Sequence, residues 1–240
     1  MAAFVSLEDI SDALPPYSEE VIAVPMDPPL ERAYRQLEDD IKQAIRDHPG
    51  NSSVISAAMN ALLLYPDRPF GLGTLHGFET TDDGHRERFV ISEPADLDEG
   101  FVYAKERRLI EECKKDVAAG RGVQIFAVYT RVRDVTRRLQ TMLENAGLRC
   151  EVLTAEVPPE RREAWYERQL RSGMQVCIAH PKLCCVGLDL LHAKSLYFVQ
   201  TGYSTYVLRQ ASRRSWRIGQ KDPIRVGYLV YADSAQESCL

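Results

Sequence analysis

The chain has 240 residues, of which 45% are hydrophobic and 27% are charged, and its formal net charge is −5. This length is enough for one ordinary domain or for one domain with an extended arm, and the composition excludes a disordered polymer. The acidic balance excludes a wholly basic nucleic-acid coat. A local basic face remains open, because residues 1–50 carry a local charge of −7 and residues 209–225 a local charge of +5.

Two features of the sequence indicate a cytoplasmic protein. The first ten residues lack a basic region and turn acidic, unlike a secretory signal peptide, and no apolar run approaches the roughly 18 residues that a membrane helix needs. The six cysteines are scattered at positions 113, 150, 177, 184, 185 and 239. Such scattering is typical of reduced thiols rather than of a disulfide framework.

The first hundred residues are typical of an arm or a small helical subdomain. A short strand is predicted over Val21–Val24 and ended by Pro25. Apolar residues then recur at helical spacing over 30–45, and a second helix fits Val54–Leu64. Residues 66–100 contain three prolines and five glycines, which predicts a long loop or an insertion.

A regular alternation begins near residue 104, so the predicted domains are an arm over 1–103 and a globular domain over 104–240. A helix through Leu109 and Val117 is closed by Gly120. Short apolar runs then alternate with helical stretches. The runs are Val123–Val128, Cys150–Leu153, Val176–Ala179, Leu196–Val199 and Val226–Val230, and the helices are Val132–Leu143, Glu160–Leu170 and Tyr206–Trp216. This alternation predicts an α/β fold with a mostly parallel sheet flanked by helices.

The most informative stretch is the basic segment that follows Tyr206. On a continuous helix, Gln210, Arg214 and Arg217 fall at positions i, i+4 and i+7 and share one face, and Gly219 ends the helix. Two neighbouring guanidiniums require an anion or carboxylates opposite them, and the oxygens of a triphosphate suit arginine well. The alternative interpretation is a solvated basic helix face.

The order Gln-Ala-x-x-Arg-x-x-Arg-Ile-Gly-Gln over 210–220 resembles the sixth motif of superfamily 2 helicases, in the form carried by Swi/Snf-type ATPases. The resemblance implies that Arg214 and Arg217 are catalytic, with Arg217 as the arginine finger, and that Gln210 lies at the ATP site. The family often has Asp and His where this chain has Arg213 and Trp216.

Earlier segments match motifs of the same family in the same order. The run Val123–Thr130 is similar to the fourth motif, which makes the hydroxyl of Thr130 a candidate contact to nucleic-acid phosphate, or else an ordinary helix N-cap. The segment after Leu153 resembles the next strand and its arginine-bearing helix start. It offers Arg161 and Arg162 as candidate backbone contacts, and the sequence does not decide between them.

The run Val176–Leu190 resembles the fifth motif. The resemblance implies that Gly187 lets the backbone approach the nucleotide and that Asp189 takes the ribose or the arginine pair, while His180 and Lys182 are candidate nucleic-acid contacts. Cys184 and Cys185 stand where the family usually has two glycines. A zinc site or a catalytic cysteine is the alternative for them, but no chelating C-x-x-C spacing and no placed base support it, so buried small apolar residues are the favoured interpretation.

The resemblance covers roughly residues 120–231 and, with the proline-rich strand and helix near the start, extends to the second half of such a protein. It implies a RecA-like second lobe of an ATP-dependent translocase that acts on double-stranded DNA, with ATP and Mg²⁺ held mainly by a first lobe of the same polypeptide. No G-K-[ST] phosphate loop occurs in the 240 residues, so we expect this chain alone to be inactive. The residues around the arginine segment look like a bacterial or phage branch.

Two other functions remain open at the level of sequence. One is a non-enzymatic nucleic-acid-binding module that uses the basic segment and Lys182, with binding that falls steeply with salt and ignores ATP. The other is a plain α/β domain whose arginines pair with local acids such as Asp189.

Overall fold

The computed structural model describes residues 14–81, 83–129, 134–184, 188–200, 202 and 205–240. The described residues form eight strands and eight helices. The strands are β1 (Tyr17–Val24), β2 (Leu75–Thr80), β3 (Arg86–Ser92), β4 (Gly122–Phe126), β5 (Cys150–Leu153), β6 (Val176–Ala179), β7 (Ala193–Phe198) and β8 (Ile224–Tyr231). The helices are α1 (Pro28–Asp47), α2 (Ser52–Leu64), α3 (Ala104–Ala118), α4 (Thr136–Asn145), α5 (Arg162–Arg171), α6 (Pro181–Cys184), α7 (Thr205–Ser212) and α8 (Ala235–Ser238).

The chain divides into two compact units. The first contains the described residues up to Ile22 and those of Arg108–Leu229, and the second contains Ala23–Arg107 and Val230–Leu240. β1, α3 and β8 each contribute residues to both units. The predicted domain boundary at residue 103 stays a prediction.

The first unit is built on a six-stranded sheet with the order β1-β8-β7-β4-β6-β5. β4 pairs in parallel with β6 and β7, β5 pairs in parallel with β6, and β7 pairs in parallel with β8. Every residue of the short β6 is buried, as expected for a strand covered by helices on both faces. The predicted α/β fold with a mostly parallel sheet is therefore confirmed.

A close backbone approach explains the glycine that starts β4. A Cβ on Gly122 would lie 2.3 Å from the carbonyl oxygen of His192, at the point where the register between β4 and β7 shifts. Real Cβ atoms do not come so near a carbonyl oxygen, so only glycine fits here.

The second unit packs α1 and α2 around their own apolar core. Leu30, Tyr34, Leu37 and Ile41 lie on the buried face of α1, as their helical spacing predicts. α2 begins at Asn51, whose side chain accepts hydrogen bonds from the backbone N–H groups of Ser53 (2.9 Å) and Val54 (3.3 Å).

The prediction of a long loop over 66–100 was wrong in part, because β2 and β3 form an antiparallel hairpin there. Thr80 pairs with Arg86 at its tip, and most side chains toward the tip are exposed and polar. A strand pair with so few buried residues lacks the apolar alternation by which sequence reasoning detects strands. No helix of the described chain is both long and apolar enough to cross a membrane.

Candidate functional site

The basic segment is a short helix followed by turns, so the predicted helix over Tyr206–Trp216 was too long. α7 ends at Ser212, where the N–H of Arg214 bonds the Ala211 carbonyl at 3.2 Å in a tightened last turn. The carbonyl of Arg214 then accepts the N–H of Leu190 at 3.0 Å instead of a helical N–H. Gln210 lies on α7, whereas Arg214 and Arg217 lie in the turns after it, so the three do not share a helix face.

Arg217 forms an ion pair with Asp189 at the protein surface. Its Nη1 lies 2.9 Å from Oδ1 of Asp189, and the two side chains are 42% and 54% exposed. An exposed pair of this kind contributes about 0–1 kcal/mol, because water and salt compete for both partners. An anionic ligand could therefore replace Asp189 at the guanidinium with little loss of stability.

The turns that carry Arg217 are tied to the loop before β7. The hydroxyl of Ser215 donates to the carbonyl of Leu190 at 3.0 Å, and the amide of Gln220 donates to the carbonyl of Leu191 at 2.9 Å. Gly219 has a φ of +101°, a conformation that favours glycine and allows the chain to reverse toward β8. These bonds fix the backbone around Arg217, although its side chain is exposed.

Trp216 has a structural role that accounts for its departure from the family pattern. Its indole N–H donates to the carbonyl of Pro15 at 2.8 Å, and its ring lies 4.9 Å from the ring of Tyr17. The residue therefore anchors the arginine turns to the beginning of β1.

A second group of predicted site residues lies at the opposite edge of the sheet. Asp189 and Arg217 lie in the segments that lead into β7 and β8, so they are at the amino ends of these parallel strands. His180 follows β6 directly and Lys182 lies in α6, at the carboxyl end of the same sheet. The structure therefore brings Asp189 and Arg217 together and keeps them apart from His180 and Lys182.

His180 is held by backbone groups on both sides. Its Nδ1 accepts the backbone N–H of Lys182 at 3.0 Å, and the ring also donates to the backbone of Val128. Burial and then the Lys182 ammonium lower the pKa of His180, against the smaller effect of the Val128 bond. A neutral imidazole with both nitrogens engaged shapes the loop, whereas the Lys182 side chain is exposed.

Arg161 and Arg162 differ in their surroundings. The guanidinium of Arg162 donates to the carbonyls of Val157 (3.2 Å) and Leu183 (3.0 Å), so it joins the start of α5 to α6. Arg161 lies in the 3-10 turn before α5 and is exposed. Of the two, Arg161 has the side chain that is open to a partner.

Three residues singled out from the sequence lie outside the described residues: Thr130, Gly187 and Cys185. Cys184 is fully buried, with its sulfur 3.6 Å from the hydroxyl of Tyr166. Among the described residues, no group of three or more His, Cys, Asp or Glu side chains is placed to hold a metal ion.

Sequence reasoning missed Gln200, the second residue after β7. Its Oε1 accepts the backbone N–H groups of Val128 (3.1 Å) and Tyr129 (3.0 Å), which follow β4. The only signal in the sequence is a polar residue directly after an apolar strand. Its meaning depends on β4 and β7 being neighbours, which the sequence does not state.

The comparisons with known proteins point to one class of ATPase. The chain is 30% identical over 118 residues to "Chromodomain-helicase-DNA-binding protein 1-like" of Danio rerio, which covers 49% of this chain and 11% of that protein. It is 28% identical over 137 residues to "Helicase SWR1" of Cryptococcus neoformans, which covers 57% of this chain and 11% of that protein. The aligned part is thus a small fraction of each relative. No protein-family model matches the sequence.

A solved structure has the same fold. The crystal structure of the C-terminal part of the Fun30 ATPase domain matches with a TM-score of 0.67 and 16% identity, covering 94% of this chain and 89% of that one. Both relatives named above come from eukaryotes, so the comparisons do not support the predicted bacterial or phage branch. The fold is RecA-like, and the chain is homologous to the carboxyl-terminal part of Swi/Snf-type ATPase and helicase domains.

Proposed function

We propose that this chain acts as the second RecA-like lobe of an ATP-dependent translocase on double-stranded DNA, completed by a first lobe of the same polypeptide. The observation that carries the proposal is the surface pair of Arg217 and Asp189 on a backbone fixed at Leu190 and Leu191. A positioned arginine whose partner is weakly held is suited to meet a phosphate that arrives from elsewhere.

On the nucleotide side, Arg217 is the arginine finger and Arg214 is its companion. The finger neutralises charge that develops on the transferred phosphoryl group, and such an arginine increases turnover by about 10³ to 10⁵ in the best-studied NTPases. Asp189 holds Arg217 between turnovers, and Gln210 and Gly187 contribute to the same site. We derive no step through Mg²⁺ from this chain, since its described residues offer no cluster to hold the ion.

On the nucleic-acid side, the exposed cations at the carboxyl edge of the sheet contact the phosphate backbone. Lys182 and Arg161 have open side chains there, and Thr130 is proposed to act beside them. His180 and Arg162 support the same surface by holding α6 and the start of α5 through backbone carbonyls and N–H groups. Contacts of this kind position a protein on DNA without reading its sequence.

The experiment measures phosphate release from ATP, with and without duplex DNA, by a polypeptide that joins this chain to a first lobe. We expect DNA-stimulated turnover, with a loss of about 10³-fold or more for Arg217→Ala, because transition-state charge is no longer neutralised. Arg213→Ala is the matched control, since Arg213 is an exposed arginine of the same turns and should leave turnover unchanged.

The 240-residue chain alone should release no phosphate. Release by the chain alone that is lost in Arg217→Ala would show that the nucleotide is gripped without a first lobe, contrary to the proposal. Salt-dependent DNA binding without turnover in the joined polypeptide would favour the alternative, a non-enzymatic nucleic-acid-binding module.

A further inference from the structure

The sheet has a crevice position that none of the predicted site residues occupies. The chain leaves β4 toward β5 at one side of the sheet, and it leaves β7 toward β8 at the other side, although β4 and β7 are neighbours. In open α/β sheets, ligands bind beyond the carboxyl ends of two such strands. Val128 and Tyr129 follow β4 at this point, and Gln200 follows β7.

The contacts of Gln200 fix the orientation of its side-chain amide. Oε1 accepts two backbone N–H groups, at 3.1 Å from Val128 and 3.0 Å from Tyr129. Only the oxygen of a side-chain amide can accept from both, so the amide nitrogen must point the other way.

That nitrogen is a donor without an acceptor in the described part of the chain. Nε2 of Gln200 is buried and has no hydrogen-bond partner among the described residues, and the residue as a whole is only 4% exposed. An unsatisfied buried amide destabilises a fold, and each such group in a native structure calls for an explanation.

The same crevice is connected to positive charge through a chain of hydrogen bonds. Gln200 holds the N–H of Val128, the backbone of Val128 accepts from the ring of His180, and His180 accepts the N–H of Lys182. The ammonium group of Lys182 is exposed at this end of β6. A donor beside a lysine suits a phosphate oxygen, which accepts from both.

We propose that Gln200 has two functions at once: its oxygen holds the turn after β4, and its amide nitrogen donates to a backbone phosphate of nucleic acid in the crevice between β4 and β7. This inference rests on the proposed function, since it names a further contact in the same nucleic-acid surface. It assigns to Gln200 a direct contact to the ligand.

The sharpest variant is Gln200→Glu, which keeps an oxygen that can accept from Val128 and Tyr129 but replaces the donor with a second acceptor. Gln200→Met removes both groups. Gln175→Glu is the matched control, because Oε1 of Gln175 also accepts a backbone N–H (Arg149, 3.0 Å) but lies just before β6, at the opposite edge of the sheet.

The experiment measures binding of a short fluorescent duplex DNA to the 240-residue chain by anisotropy over a NaCl series, together with the Tm of each variant. We expect Gln200→Glu to keep a Tm near that of the wild type and to lose about 10-fold or more in affinity. Gln175→Glu should bind as the wild type does, and Gln200→Met should lose both affinity and Tm. The amide ¹⁵N–¹H signals of Gln200 should shift when DNA is added.

Two results would overturn the proposal while leaving the proposed function intact. One is equal affinity of Gln200→Glu and Gln175→Glu, in a chain that binds DNA and is weakened by Lys182→Ala. The other is a fall in Tm of Gln200→Glu as large as that of Gln200→Met, which would mean that the nitrogen bonds within the protein. If the wild-type chain shows no salt-dependent binding, the proposed nucleic-acid surface fails together with this contact.

Discussion

Two ion pairs of similar length have opposite surroundings in this molecule. Lys105 and Asp67 of the second unit meet at 2.7 Å with side chains only 6% and 8% exposed. Arg217 and Asp189 of the first unit meet at 2.9 Å with side chains 42% and 54% exposed. The difference teaches that burial, rather than distance, decides whether a pair maintains the fold or is available for exchange with a ligand.

The buried pair is part of a wider set of contacts. Nζ of Lys105 also donates to Oε1 of Gln236 at 2.9 Å and lies 5.4 Å from the centre of the Tyr231 ring. Burial lowers the pKa of Lys105, and the Asp67 carboxylate acts against this shift. A charge taken out of water in this way depends on its partner, whereas the charge of Arg217 is still solvated.

The largest effect should follow from Asp67→Asn. It removes the counter-charge from a buried lysine, and breaking a buried pair by removing one partner costs about 3–5 kcal/mol. Urea unfolding should show this fall in the free energy of unfolding. A double variant, Asp67→Leu with Lys105→Met, should recover much of it, because no uncompensated charge remains. A loss below about 1 kcal/mol for Asp67→Asn would mean that the buried pair behaves like an exposed one.

A buried base without a partner extends the comparison. Nε2 of His192 has no hydrogen-bond partner among the described residues, its ring lies 5.1 Å from that of Tyr166, and burial lowers its pKa to about 4. Below its usual pKa of about 6.5 the unfolded chain takes a proton that the folded chain refuses. The free energy of unfolding should therefore fall by up to about 3 kcal/mol as the pH drops from about 6.5 to about 4.

The measurement is the free energy of unfolding at several pH values for the wild type and for His192→Phe, which keeps a ring beside Tyr166. The variant should lose less stability in acid than the wild type. His85→Asn is the control, because His85 is 79% exposed and its removal should leave the pH dependence as it is. Parallel curves for the wild type and His192→Phe would contradict this role of the buried imidazole.

The fold was predictable because burial leaves a direct mark on sequence. Four-residue runs such as Val176–Ala179 are apolar throughout, since helices cover both faces of the sheet. The hairpin of β2 and β3 was missed because its outer residues are polar. The early end of α7 was missed because it depends on a bond between Arg214 and Leu190, which are distant in sequence.

The candidate site was predictable only where the identity of a residue carries its chemistry. Arg217 and Asp189 were both singled out, and their pairing was one of the open alternatives that the structure bears out. Gln200 was not found, because its contacts depend on which strands are neighbours. The engagement of His180 by two backbone groups likewise follows from the arrangement of β4 and β6 rather than from the motif.

The smallest effect should follow from Asp189→Asn, the same substitution as in the buried pair. Because Arg217 stays solvated when its partner is neutral, the free energy of unfolding should change by less than about 1 kcal/mol, and the change should shrink further at high salt. Urea unfolding at low and high NaCl measures this beside Asp67→Asn. A loss at Asp189 as large as that at Asp67 would show that the surface pair holds the fold together, and Arg217 would then not be available to a phosphate.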